Sequence, residues 1–576
     1  MKISEVERLT GLTAKAIRLY ETKGLLDVNR TSNTYREYDF ANVERLSKIK
    51  ALRELGVSLS DISLYFSGIH TLSEMIAKRK KEIEHDKKRN EQQYRQCIEL
   101  LENAALFPHG TTSRFDEVEA SEQYAHSDCL ALGIDIGTST ISLLCIDVLQ
   151  GRAVETFTLR NQSGVLSDGA MDKEQDPQWI AEVVLRTVDV ILRAYPTIKA
   201  IGVTGQMHGI LYLDAAGRAV SNLYTWQDYR AGELCEGEKT YCDIIMEKTG
   251  MAVYPGYGLA THYDHIRKGS VPQGATTFCT IADYMAMVLT GRTEPLMHAS
   301  NAASLGLFSI ARGDFHQDAL ASLGMTELDM PPVTNQTVIV GQHRGIPVAV
   351  ALGDNQACVL GSLQDEENSI HVNYGTGSQI SLVTDHLPTA AKGLELRPYR
   401  DGKYLLCGAA LCGGSAYALL ERFFRSYASL LDADAGSQYE VMNSLAENAL
   451  EEGNALPVQT LFSGTREEPE ARGSITGIGE TNFTPAALTL GVLQGMVNEL
   501  YAFYQAIQGE RRSVLVASGN AVQRNPVLRK LLSSTFSMSL QVPVMLEEAA
   551  LGAAMFAALA GGLTDERGIK AIIRYQ

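Results

Sequence analysis

Two short segments far apart carry the same device, and together they limit the fold more than anything else in the chain. Leu130 to Val148 reads as two apolar strands joined by Gly137-Thr138-Ser139, and Ser369 to Asp385 as two more joined by Gly375-Thr376-Gly377-Ser378. Gly137 and Gly375 stand 238 residues apart, and a long-range repeat of this kind implies two related lobes facing each other. Glycine lets a backbone approach phosphate closely, and successive N–H groups in a tight turn form an anion-binding nest to which Thr and Ser hydroxyls add donors. One such turn is more often a plain hairpin; two in matched contexts point to a nucleoside triphosphate. Asp135, just ahead of the first turn, is a candidate to hold a hydrated Mg2+, which takes one or two carboxylates and keeps several waters. The matching position in the second lobe is Asn373, so one lobe alone supplies the charge.

A third constellation is an acid. Ile346 to Leu352 is a buried-strand run that ends on Gly353-Asp354, followed by Asn355-Gln356-Ala357. An Asp at the end of a strand can accept a substrate hydroxyl's proton during phosphoryl transfer; the plainer alternative is a helix N-cap. Thr204-Gly205-Gln206-Met207-His208-Gly209 and Thr225-Trp226-Gln227-Asp228 each close an apolar run and mix an aromatic or apolar face with polar groups. His208 or Trp226 taken alone would read as core.

Charge divides the chain in two. The 576 residues carry a net −17, which argues against a protein that coats nucleic acid nonspecifically. Residues 1–105 nevertheless carry +3, leaving −20 on the remainder, and a mildly basic head on an acidic body implies two jobs. No signal peptide and no apolar run long enough for a membrane helix is apparent, and nine cysteines without a C-x-x-C pair read as scattered thiols, so a cytoplasmic protein with no membrane partner is expected.

The head is dense with helix signals. Ser4 to Glu7 has the form of a capping box, Gly11 offers a turn, and Thr13 starts a second helix that Gly24 ends, which makes a helix-turn-helix candidate. Lys15, Arg18 and Tyr20 on the second helix offer contacts to phosphates and base edges, while Arg30, Asn33, Tyr35 and Arg36 could form a β-wing. Asp39 and Ser58 start two further helices. The alternative is a small helical bundle with a solvated charged surface. Thr71 to Leu106 reads as one long helix with Ile76, Ile83, Asn90 and Cys97 at seven-residue spacing, either a pairing seam or, since Arg79 and Asp86 interrupt the second seam, a solvated spacer.

Two resemblances sharpen these readings. SEVERLTGLTAKAIRLYETKGLL and YREYDFANVERLSKIKALRELGVSLSDI, within residues 2–68, resemble the MerR family of winged-helix regulators. Arg18-Leu19-Tyr20 stands where that family usually has Arg-Tyr-Tyr, which removes one phosphate contact. The resemblance implies binding to double-stranded DNA and a homodimer paired through the long helix; without clustered cysteines, a metal sensor is not expected. Residues 130–565 resemble the FGGY family of carbohydrate kinases. DIGTS (Asp135 to Ser139), GTGS (Gly375 to Ser378), GDNQA (Gly353 to Ala357), LCGGSAYALL (Leu411 to Leu420), SGNAVQRNP (Ser518 to Pro526) and EEAALGAAMFAALAGG (Glu547 to Gly562) carry it, although Gly519-Asn520 replaces the usual Gly-Gly.

That resemblance implies a duplicated α/β sugar-kinase/actin-like ATPase (ribonuclease H-like) fold that uses ATP and Mg2+. It makes Asp354 the base and Asp135 the metal anchor. The nucleotide would meet Gly137, Thr138, Ser139, Gly375, Thr376, Gly377, Gly413, Gly414, Gly519, Asn520 and Asn525. The sugar would meet Gln206, Met207, His208, Trp226, Gln227, Asp228 and Asn301. GQMHG and TWQD, with HASNAAS (His298 to Ser304) and GTREEPEARGSITGI (Gly464 to Ile478), look most like the sedoheptulokinase branch; xylulokinases share GQMHG and usually have Asn where Gln227 stands. The expected organisation is a DNA-binding domain at 1–70, a dimerisation helix at 71–106, a linker at 107–128, a sugar-binding lobe at 129–365 and a nucleotide-binding lobe at 366–576. The expected activity is ATP-dependent phosphorylation of a ketose at a primary hydroxyl, coupled to transcription. The rival is a catalytically silent sensor of sugar or nucleotide that regulates transcription. A third possibility is that the head only dimerises the enzyme.

Overall fold

The computed structural model describes residues 127–165, 173–387, 393–431, 436–465, 468, 470–507 and 511–576, together with scattered positions between 1 and 50. The long helix expected at 71–106, the helix start at Ser58 and nearly all of the linker lie outside the described residues, as do Lys15 and Tyr35. The chain forms two compact units, 1–118 and 119–576.

The head has a small core of its own. Its first helix is Ile3–Thr10. The Thr10 hydroxyl donates to the Val6 carbonyl (2.7 Å) and accepts from the Leu12 N–H (3.3 Å), which closes the helix. Ile17, Arg18 and Tyr20 are helical, as a second helix requires. Asn29–Arg30 and Arg36–Glu37 pair antiparallel with Arg30 opposite Arg36, as a wing would. Tyr38 then exchanges backbone bonds with Met1 and ties that wing to the start of the chain. Val6, Ile17, Leu25, Leu26, Tyr38, Leu46 and Ile49 are buried together. Tyr20 joins them at 8% exposure, which corrects its expected place at the DNA surface: the ring is wanted by the core, while Arg18 on the same helix is exposed.

The body is built on two sheets. The first runs in the order Ile339–His343, Ile346–Ala349, Ile198–Gly205, Leu130–Ile136, Thr140–Asp147, Arg152–Arg160, with Leu352–Gly353 also beside Ile198–Gly205. Its central strands are continuous Leu, Ile and Val runs buried on both faces, the pattern of parallel strands covered by helices. The second sheet runs Leu394–Pro398, Tyr404–Ala410, Ser378–Thr384, Ser369–Tyr374, Val514–Ser518, Ser539–Gln541. In each sheet the strand entering the glycine turn pairs antiparallel with the strand leaving it and parallel with a later one. The repeat read from the two turns is therefore a repeat of topology. The edges differ: the second sheet adds Leu394–Pro398 outside Tyr404–Ala410, and the first adds Ile339–His343 at its opposite edge.

One helix binds the sheets together. Glu548–Ala560 follows the second sheet in the chain yet packs on the first, where a Cβ at Gly133 or Gly202 would lie 1.9 Å from the Ala550 or Ala553 carbonyl oxygen. It also crosses the Asp354–Ser362 helix at Gly552 and Gly361, where a Cβ would lie 1.8 Å and 2.1 Å from the facing carbonyls. Backbone meets backbone at these four points, and only glycine allows it. The buried cluster beneath it draws on both sheets, from Ala131 and Leu144 to Leu405 and Val516.

Candidate active site

Three parallel strand ends set the centre of the site. Asp135 pairs with Thr204 and Thr204 with Leu352; one residue on, Ile136 pairs with Gly205 and Gly205 with Gly353. The chain then leaves the sheet at Gly137, Gln206 and Asp354, side by side, where ligands of open α/β sheets bind. Gly353 caps the helix and Asp354 is its first residue, so the N-cap alternative for Asp354 does not apply. Its strand is held from three sides: Thr204 Oγ1 donates to the Leu352 carbonyl (2.7 Å), the Gly353 N–H donates to Ser300 Oγ (2.9 Å), and Asn301 Nδ2 donates to the Ala351 carbonyl (3.1 Å).

Asp135 and Asp354 line one cavity of about 280 Å³ with Asn355, Cys358, Asn373, Gln379, Glu547 and Glu548. Four carboxylates meet there, with no Lys or Arg in the wall. Burial raises the Asp354 pKa to about 6, opposed by the Asn355 N–H and by Arg397. Asp135 is driven to about 8, first by burial and then by the charges of Asp354 and Glu547. Glu548 rises to about 7, by burial first, with the neighbouring Glu547 adding to it. Among the described residues no three His, Cys, Asp or Glu side chains stand close enough to hold a metal by themselves. An oxygen-rich wall with one or two usable carboxylates fits Mg2+, which retains most of its waters.

The two glycine turns border this cavity differently. At the first, the Gly137 N–H donates to the Thr140 carbonyl (2.9 Å), and Thr138 and Ser139 form the tip of the hairpin. At the second, the Gly413 and Ser415 N–H groups donate to the Thr376 carbonyl and the Gly414 N–H to the Gly375 carbonyl, so the Gly414–Leu431 helix begins against the turn. A Cβ at Gly413 would lie 2.1 Å from the Gly377 carbonyl oxygen. Gly519 has φ +92°, and a Cβ there would lie 2.5 Å from the Tyr374 carbonyl oxygen. The Ser378 and Ser415 hydroxyls are buried without hydrogen-bond partners beside this turn. Asn520 opens the short Asn520–Arg524 helix. Asn525, expected at the nucleotide, instead caps the next helix through the Leu528 N–H (3.0 Å) and donates to Asn443, a scaffolding role that leaves it 5% exposed.

The expected sugar residues separate into two groups. Met207 and His208 line a cavity of about 230 Å³ with Met251, Tyr254, Tyr257, Ser300, Ser304, Glu395 and Arg397. A Cβ on Gly353 would lie 2.9 Å from the Met207 sulfur, so this cavity begins beside Asp354. His208 has φ +72°, is fixed by the Ser304 hydroxyl and carbonyl, and stacks on Tyr257 with ring centroids 4.6 Å apart. Gln206 and Trp226 turn toward the first glycine turn: Trp226 Nε1 donates to Thr138 Oγ1 (2.9 Å), and that hydroxyl donates to Gln206 Oε1 (3.4 Å). Thr138 is thus tied to the side chains of Gln206 and Trp226.

Asp228 and Asn301 are turned to protein partners. Asp228 is buried, and its carboxylate is taken by Arg230 (2.7 and 2.8 Å) and by the Lys173 N–H. Asn301 is fully buried, and its Nδ2 donates to Asp283 and to the Ala351 carbonyl while its Oδ1 has no partner. Gln227 is exposed. Glu547, Glu548, Glu395, Arg397 and Tyr257 were not anticipated; only the paired acids opening the Glu548–Ala560 helix left a trace in the sequence.

Residues 130–369 match the N-terminal domain and residues 371–561 the C-terminal domain of the FGGY family of carbohydrate kinases, and residues 1–69 match the MerR HTH family of regulatory proteins. Among curated relatives, sedoheptulokinase of Mus musculus is 25% identical over 71% of this chain and 93% of its own length. The glycerol kinase of Alteromonas mediterranea is 26% identical over 68% of this chain and 82% of its own. Among solved structures, a ligand-bound xylulose kinase from Lactobacillus acidophilus is similar at TM-score 0.66 and 20% identity, covering 78% of this chain and 93% of that one. The Plasmodium falciparum glycerol kinase with ADP is similar at 0.64 and 20%, covering 78% and 93%. No helix among the described residues is long and apolar enough to cross a membrane. With two lobes of matching topology, and with both kinase domains matched across residues 130–369 and 371–561, the chain belongs to the FGGY family of carbohydrate kinases and opens with a MerR-type helix-turn-helix region.

Proposed function

We propose that the protein transfers the γ-phosphoryl group of ATP to a primary hydroxyl of a ketose, sedoheptulose ahead of xylulose, and that the head couples this sugar to transcription. The carrying observation is the position of Asp354, one strand end from Met207 and on the wall of the acid cavity that holds Asp135. A base with a pKa of about 6 is mostly ionised at neutral pH and still basic enough to take a hydroxyl proton in the transition state. His208, Tyr257 and Met207 offer an apolar and aromatic face against which sugar C–H groups can lie. The second glycine turn, with the unpartnered Ser378 and Ser415 hydroxyls, offers donors for phosphate oxygens. Asp135 would hold Mg2+, whose charge, when bound, offsets the charge on the transferring phosphoryl group. Sedoheptulose is favoured by the likeness to sedoheptulokinases, and the likeness to glycerol kinases keeps other acceptors in the panel.

The test is ADP production by the purified protein with Mg-ATP and sedoheptulose, xylulose, ribulose, fructose or glycerol, beside Asp354→Ala. Sugar-dependent turnover lost in the variant supports a kinase. Sugar or ATP binding without turnover makes the body a sensor. For the head, affinity for the protein's own promoter fragment should fall steeply with salt and change when the sugar is added. Affinity indifferent to both would leave the head as a dimerisation element.

A further inference from the structure

The added edge strand Leu394–Pro398 places residues of the second lobe in a cavity otherwise lined by loops and a helix of the first. It packs against the Ala299–Ser304 helix, and Gln356 of the Asp354 helix donates to the Pro398 carbonyl (2.9 Å). Alternation along the strand sends Glu395 and Arg397 to the same face, both into the 230 Å³ cavity beside Met207 and His208. Arg397 Nε and Nη2 both donate to Glu395 Oε2, at 3.1 and 2.7 Å, and the arginine is 12% exposed. That clamp fixes the plane of the guanidinium and leaves the Nη1 edge without a protein acceptor among its hydrogen bonds.

We propose that the Arg397–Glu395 pair is a specificity determinant that grips a vicinal diol of a neutral ketose from the second lobe. The pair presents donors next to an anion, which suits two adjacent hydroxyls. A sugar acid or sugar phosphate would bring a second anion up to Glu395. Because the strand belongs to the second lobe and the rest of the pocket to the first, a sugar that engages the pair also bridges the lobes. The inference rests on the ketose reading of this site, and it concerns binding rather than turnover.

The experiment is titration calorimetry of sedoheptulose, xylulose and gluconate into the full-length protein and into Arg397→Met, Arg397→Lys and Glu395→Gln, with unfolding midpoints and ATP affinity measured alongside. In Arg397→Met the ketose affinity should fall at least tenfold with ATP affinity unchanged. Arg397→Lys should recover only part of it, since an ammonium lacks the planar fork. Glu395→Gln should move the gluconate-to-ketose affinity ratio at least tenfold toward gluconate. A pair that only braces the strand would change all three sugars by one factor or none, and that result overturns the proposal. Wild-type protein that binds no ketose overturns it too. Ketose binding that responds as stated, without ADP formation, leaves it standing and removes only the kinase reading.

Discussion

Gly361→Ala probes how closely Asp354, the proposed base, is held. Gly361 lies in the helix that begins at Asp354, and a Cβ there would stand 2.1 Å from the Glu548 carbonyl oxygen and 2.8 Å from the Gly552 nitrogen. Both are backbone atoms inside a packed helix pair, so no side chain can swing aside. A normal contact requires the two helices to part by about 1 Å, and overpacking of this kind costs about 1–3 kcal/mol. The displacement also reaches chemistry, because Asp354 and Glu548 both line the acid cavity. A misplacement of about 1 Å can cost on the order of 100-fold in rate. The expected outcome is a folded variant with a lowered unfolding midpoint and a kcat reduced roughly 10- to 100-fold on that scale, measured by coupled ADP release and urea titration. Gly164→Ala is the control, since it is exposed and a Cβ there meets nothing within 4 Å. If Gly361→Ala kept both the kcat and the midpoint of the wild type, the claim that backbone contact positions the acid would be wrong.

Other outcomes follow from the same geometry. The kcat/KM profile should show an acid limb near pH 6, losing activity as Asp354 takes up its proton, and Asp354→Asn should lower the rate about 10²- to 10⁴-fold and erase the limb. Asp135, with a pKa of about 8, is mostly protonated at pH 7; Mg2+ favours its ionised form, so binding should release close to one proton and tighten as pH rises. Calorimetry in buffers of different ionisation enthalpy reads that proton, and Asp135→Asn should abolish it. Asp228→Asn should cost roughly 1–3 kcal/mol by removing one of the two carboxylates on the half-buried Arg230, visible as a lower unfolding midpoint with sugar affinity in the surviving folded protein little changed. In the head, Arg18→Ala should weaken DNA binding and reduce the salt slope by about one, whereas Tyr20→Ala should unfold the head core.

The legible parts of this chain are those where backbone geometry demands a particular residue. Gly137, Gly413 and Gly519 mark close approaches that no other residue tolerates, and Gly353-Asp354 ends a strand whose register with Gly205 places it beside Gln206. Asp228, Asn301 and Asn525 were less readable, because a polar side chain that binds ligand and one that satisfies buried backbone have the same spelling. Tyr20 misled for a similar reason, as an aromatic ring on an amphipathic helix serves either face. Arg397 was not readable at all. Nothing near it in the chain announces a site, and it reaches the cavity only because an extra strand is laid on the edge of the second sheet.

The helix Glu548–Ala560 also decides when this protein can finish folding. The central strands of the first sheet are complete by Gly205, yet the face bearing Gly133 and Gly202 is covered by residues more than 340 positions later. At a synthesis rate of about 5–20 residues per second, that apolar face waits roughly 20–70 s for its lid after Gly205 leaves the ribosome. The closing contact is among the longest-range in the chain, so loop-closure entropy slows it further. Early strands built of Leu, Ile and Val are thus held open while the rest of the kinase is made, and the newborn chain needs either chaperone shelter or the second sheet's early collapse to survive that interval.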